Sequence, residues 1–115
     1  MQDILNSLNK VRGVRGSLIV GRDGILIASD FGTDADEDAM GAVGSQILSA
    51  LQNALDRMNM GRFRRFLVTG QFGKILMVDA GNAILILFLE KDVNLGMVGV
   101  EIKDAVDGII ENSRL

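Results

Sequence analysis

Two apolar runs, KILMVDA at Lys74–Ala80 and AILILFL at Ala83–Leu89, are separated only by Gly81 and Asn82. A link that short makes them neighbouring antiparallel strands. A sheet with one wet face alternates apolar and polar residues, whereas these runs are apolar at consecutive positions, so both faces are expected to be covered. That requirement constrains the chain more than any other feature, because it demands helices on both sides of a sheet.

The remaining segments can supply them. Ile4, Leu5, Leu8 and Val11 recur at helical spacing, which predicts a short first helix ending before Gly13. SLIVG and ILIAS read as strands joined by Arg22-Asp23-Gly24, a hairpin signal because Gly accepts positive φ at little cost. A long helix is predicted over Asp34–Met60, with Thr33 or Asp34 as its cap, Asp36, Glu37 and Asp38 at its positive end and Gly61 as its stop. Another strand follows near Arg62–Thr69, linked to Lys74–Ala80 through Gly70-Gln71-Phe72-Gly73. Asn94 is placed to cap a last helix whose apolar face carries Leu95, Val98, Ile102, Ala105, Val106, Ile109 and Ile110. The expected fold is α/β and three-layered, in the order α-β-β-α-β-β-β-α, with a five-stranded antiparallel sheet and helices on both faces. At 115 residues it is read as one domain spanning 1–115, large enough to bury roughly two thirds of its unfolded surface.

Composition narrows the chemistry. The chain has no cysteine and no histidine, which removes disulfides, thiolate metal sites and the usual general base. Its fifteen carboxylates fall in no motif that singles one out for catalysis, so no enzyme activity and no cofactor are expected. A net charge of -3 argues against a general nucleic-acid binder. The longest apolar run, Ala83–Leu89, is far below the ~20 residues that span a bilayer, and the start MQDILNSLNK lacks the basic-then-apolar layout of a signal peptide. The expectation is a cytoplasmic protein without membrane insertion.

Two phosphate- or metal-like patterns fail on inspection. Gly16 and Gly21 in GSLIVGRDGILIAS have P-loop spacing, but Arg22 and Asp23 stand where the motif needs Lys and then Ser or Thr. The glycines are read as punctuating a hairpin. The cluster DADED at 34–38 resembles a calcium loop, yet counting from Asp34 puts Ala39 and Ser45 where Gly and Glu are required. A helix start explains it better.

The long helix carries a stronger signal. Residues at 100° intervals put Met40, Val43, Ile47, Leu51, Ala54 and Met58 on an apolar arc, widened by Leu48, Ala50 and Leu55, which is expected to cover the sheet. The opposite face carries Gly41, Ala42, Ser45, Gln46, Ser49, Gln52 and Asn53, with no charge from Met40 through Leu55. Charge depletion of this kind marks the centres of interfaces, so a partner surface is favoured over the alternative of a merely polar surface. Small residues at Gly41, Ser45 and Ser49 would let a partner approach closely. A second feature is basic: Arg57, Arg62, Arg64, Arg65 and Lys74, with no acid between Asp56 and Asp79. Phe63 and Phe66 interleave with them, which is compatible with RNA stacking, with an edge strand guarded by charge, and with an acidic partner or a second copy of the chain. The overall acidity ranks nucleic acid last.

VRGVRGSLIVGRDGILIAS at Val11–Ser29, the small-residue helix from Asp36 to Met60, KILMVDAGNAILILFLEKDVNLGMV at Lys74–Val98 and the closing amphipathic helix together resemble the roadblock family. That family includes roadblock-type dynein light chains, scaffold subunits of the lysosomal Ragulator complex and bacterial partners of a gliding-motility GTPase. The resemblance implies a homodimer in which the long helices pack antiparallel and the third strands pair edge to edge. It also implies that the helix pair is a platform for a small Ras-like GTPase. On this chain the implied partner-binding residues are Gly41, Ser45, Ser49 and Gln52, and the implied dimer residues are Arg57, Arg62, Arg64, Phe66 and Val68. A non-enzymatic regulator or scaffold follows, the alternatives being a nucleotide-independent assembly module or, less favoured, a small-ligand sensor or enzyme with a pocket beside the sheet.

Overall fold

The computed structural model describes residues 1–31 and 36–113. Its elements run α1 (Gln2–Leu8), β1 (Val14–Gly21), β2 (Leu26–Asp30), α2 (Glu37–Arg57), β3 (Arg65–Thr69), β4 (Lys74–Ala80), β5 (Ala83–Leu89) and α3 (Leu95–Asn112). The five strands form one antiparallel sheet in the order β2-β1-β5-β4-β3. The expected α-β-β-α-β-β-β-α order and sheet are present.

The strand order explains the apolar runs. β5 lies at the centre between β1 and β4, and its alternate residues feed two cores. Ala83, Leu85, Leu87 and Leu89 pack with Ile19, Leu76 and Val78 under α1 and α3. Ile84 and Ile86 pack with Leu18, Val20 and Met77 under Leu48 of α2. Burial on both faces removes the need for a polar alternate. Ser17 is the buried polar exception, and its hydroxyl donates to Asn9 Oδ1 at 2.9 Å beside α1.

Several boundaries differ from expectation for local reasons. The cap of α2 is Asp36, whose carboxylate accepts from the Ala39 N–H at 3.2 Å. Thr33 and Asp34, the expected caps, lie outside the described residues. α2 stops at Arg57, short of Met60, because Asn59 turns left-handed (φ 55) before Gly61 (φ 87). β3 starts at Arg65 and not at Arg62. In the intervening segment the Phe63 N–H donates to Gln52 Oε1 at 2.9 Å and Arg62 turns toward Asp79, so these residues bond to side chains instead of joining the ladder. Gly24 (φ 86) makes the β1–β2 turn, but Gly16 lies within β1 and serves another purpose. A Cβ there would sit 2.4 Å from the Phe31 ring, which packs edge-on against Phe88.

The rotational phase of α2 also needs correction. Gly41, Gly44 and Leu48 are its buried residues, whereas Val43 is 54% exposed and Met58 65% exposed. A Cβ on Gly41 would lie 2.9 Å from Val20 Cγ1, and one on Gly44 would lie 2.6 Å from Ile86 Cδ1. The glycines are where helix backbone approaches sheet. A hydropathy wheel gives glycine no weight and so rotates the contact toward the nearest large apolar residues.

Candidate interaction surfaces

α2 lies over β1 and β2, and this offset creates two distinct surfaces. Its outward face presents Ala42, Gln46, Ser49 and Asn53, all exposed. Of the implied partner-binding residues, Ser49 stands on this face and Gly41 is buried beneath it. Ser45 is half-buried, its hydroxyl donating to the Arg22 carbonyl at 3.3 Å and its Cβ abutting the Gly24 turn. Gln52 is occupied within the chain, where Nε2 donates to the Gly61 carbonyl at 3.2 Å while Oε1 holds Phe63. Ser45 and Gln52 are therefore engaged within the chain, and the open surface of α2 is Ala42, Gln46, Ser49 and Asn53.

The second surface is apolar and lies between α2 and the β3 side of the sheet. Val43 and Ile47 face Ile75 and Phe88 across a groove of about 510 Å³. Further along, Leu51, Ala54 and Met58 face Phe66 across one of about 230 Å³. β3 borders this strip as an edge strand. It pairs only with β4, in unbroken register from Arg65↔Val78 to Thr69↔Lys74, and among the described residues no strand meets its other edge. The opposite edge, β2, is interrupted by a bulge that leaves Ile27 unpaired with β1. A bulge blunts an edge and a regular strand leaves it available.

The arginines divide by role. Arg62 is bound to Asp79, with Nε at 2.8 Å from Oδ2, and Nη2 also donates to the Gly81 carbonyl at 2.7 Å. Arg22 reaches the same carboxylate and the same carbonyl. The hydrogen bond to Asp79, reinforced by its charge, raises the Arg62 pKa above its ordinary value. This clamp ties the β1–β2 turn, the β4–β5 turn and the approach to β3. Asp79 is the one acid inside KILMVDA, a sequence signal that something must compensate a carboxylate there but not what does. Phe66 is half-buried on the α2 side and Val68 is 38% exposed. Arg57 is exposed in the last turn of α2, and Arg64 lines a cleft on the α3 side. Among the described residues no group of three or more His, Cys, Asp or Glu is placed to hold a metal, and no helix is long and apolar enough to cross a membrane.

A sheet with two helices on one face and one long, offset helix on the other defines the class of protein, and comparison gives the family. Residues 1–90 match the model of the Roadblock/LC7 domain, and the chain belongs to that family. It is similar to an uncharacterised protein of Methanocaldococcus jannaschii, 38% identical over 106 residues that cover 92% of this chain and 93% of the relative. The Roadblock/LC7 domain from Streptomyces avermitilis superposes with a TM-score of 0.90 at 17% identity, covering 97% of this chain and 96% of that one. MglB of Myxococcus xanthus superposes with a TM-score of 0.90 at 19% identity, covering 96% and 91%. At those identities the two structures speak for the fold.

Proposed function

We propose that this chain is a non-enzymatic, homodimeric regulator or scaffold that docks a small Ras-like GTPase on α2. The observation that carries the proposal is the outward face of α2, exposed through Ala42, Gln46, Ser49 and Asn53 and free of charge from Met40 through Leu55. An ordinary solvated helix face carries Lys and Glu, whereas interface centres are depleted of them. The second copy fits the apolar strip beside it. Pairing of two β3 edges would continue the sheet, and Phe66, Val68, Val43 and Met58 would leave water on the α2 side. Arg57 would stand at the end of that contact, while Arg62 is held by Asp79 and acts on it only through the loop it fixes. Family membership supports the reading, since the roadblock resemblance implies both the dimer and the GTPase platform.

The test is binding of a purified Ras-like GTPase from the same organism, loaded with a non-hydrolysable GTP analogue or with GDP, to the wild-type chain and to Ser49→Arg. Binding that prefers one nucleotide and is weakened by Ser49→Arg supports a regulator. Binding indifferent to nucleotide makes the chain an assembly module, and no binding to any such GTPase refutes the platform.

A further inference from the structure

The face of the sheet opposite α2 holds a cleft beside the β3 edge, away from the outward face of α2. α3 packs across β4 and β5, and between α3 and the start of β3 lies an opening of about 690 Å³. Val106 and Ile110, half-buried on α3, give it an apolar wall above the buried Val78 and Ile102, and Arg64, Arg65 and Lys103 bring cations to it. The acids at the cleft are committed, Asp79 to Arg22 and Arg62, and Asp107 to Lys103 at 3.3 Å. Among the described residues the side chains of Arg64 and Arg65 have no hydrogen bond or ion pair. Two guanidinium groups thus stand unpaired beside an apolar wall. Their planar forks match carboxylates in two-point contact.

We propose that this cleft docks an acidic, amphipathic peptide segment of a partner protein, with its apolar side chains on Val106 and Ile110 and its carboxylates on Arg64 and Arg65. A nucleic acid or polyphosphate would gain from the cations alone and would leave the apolar wall uncovered. A peptide that alternates acids with aliphatic residues satisfies both parts of the site. Because the cleft lies across the sheet from α2, the protein would hold this segment and the α2 partner at the same time. The inference is independent of the GTPase reading.

The experiment is fluorescence anisotropy with the full chain and a labelled synthetic peptide in which pairs of Glu alternate with pairs of Leu. Two controls accompany it, the same peptide with Gln for Glu, and a polyglutamate of equal charge. The expected result is saturable binding that weakens as salt rises and falls at least about tenfold in an Arg64→Glu/Arg65→Glu variant and with the Gln peptide. Lys103→Glu, on the exposed side of α3 and away from β3, is expected to weaken binding as well, so a folding defect in the β3 variant cannot hide the answer. Ser49→Arg is expected to leave the affinity unchanged, which separates this site from the platform. Absence of binding up to about millimolar peptide, equal binding of the Gln peptide or of polyglutamate, or indifference to both Lys103→Glu and the double reversal overturns the proposal.

Discussion

At the scale of single residues, glycine and aspartate decide more than the large apolar side chains. Gly16 makes room for Phe31, whose ring lies where a Cβ would be. Gly16→Ala must displace an aromatic ring held against Phe88, and the expected cost is about 1–3 kcal/mol by chemical denaturation. Asp79 is 9% exposed at its side chain and accepts from two arginines. Asp79→Ala is expected to cost about 1–2 kcal/mol, discounted because both arginines are partly solvated. It should exceed either Arg22→Ala or Arg62→Ala alone, since each of those leaves the other arginine in place. The raised Arg62 pKa has a definite sign. A cation stabilised by folding contributes in full below its unfolded pKa and is lost only as pH climbs through the higher folded value. Melting curves should therefore show no loss of this contribution across the neutral and mildly alkaline range. None of these roles is visible as hydropathy, since a glycine's contact and an aspartate's partners depend on residues far along the chain.

At the scale of elements, the pattern that was legible was the one with strong period and punctuation. Lys74–Ala80 and Ala83–Leu89 have the predicted bounds and the last helix has the predicted Asn94 cap, because a two-residue turn and a local cap fix them without tertiary help. α2 was legible as a long helix but not in its phase. Gly41 and Gly44 set its contact with β1 and β5, which turns Val43 and Met58 outward and takes Gly41 off the surface. The start of β3 was misplaced because Gln52 and Asp79, distant in sequence, bond the preceding residues. The corrected phase makes a prediction about assembly. Val68→Glu, at the regular β3 edge, should convert a dimer to a monomer in sedimentation while leaving the far-ultraviolet spectrum unchanged. A dimer that survives both Val68→Glu and Val43→Asp would place the self-contact elsewhere.

At the scale of the whole molecule, the offset of α2 organises the proposed function. The helix covers β1 and β2 and leaves the β3 side open, so under the proposed function one element would offer an uncharged outer face to a partner and an apolar flank to a second copy. A homodimer would duplicate the platform and bring two α2 faces together. The measurement that tests this most directly is titration calorimetry of the intact chain against a Ras-like GTPase from the same organism, in GTP-analogue and GDP forms, with Ser49→Arg in parallel. The account predicts binding to the wild-type chain that Ser49→Arg weakens at least about tenfold, the effect of placing a long charge at a charge-depleted contact. Undiminished affinity in Ser49→Arg, or no binding of the GTPase in either form, would contradict it.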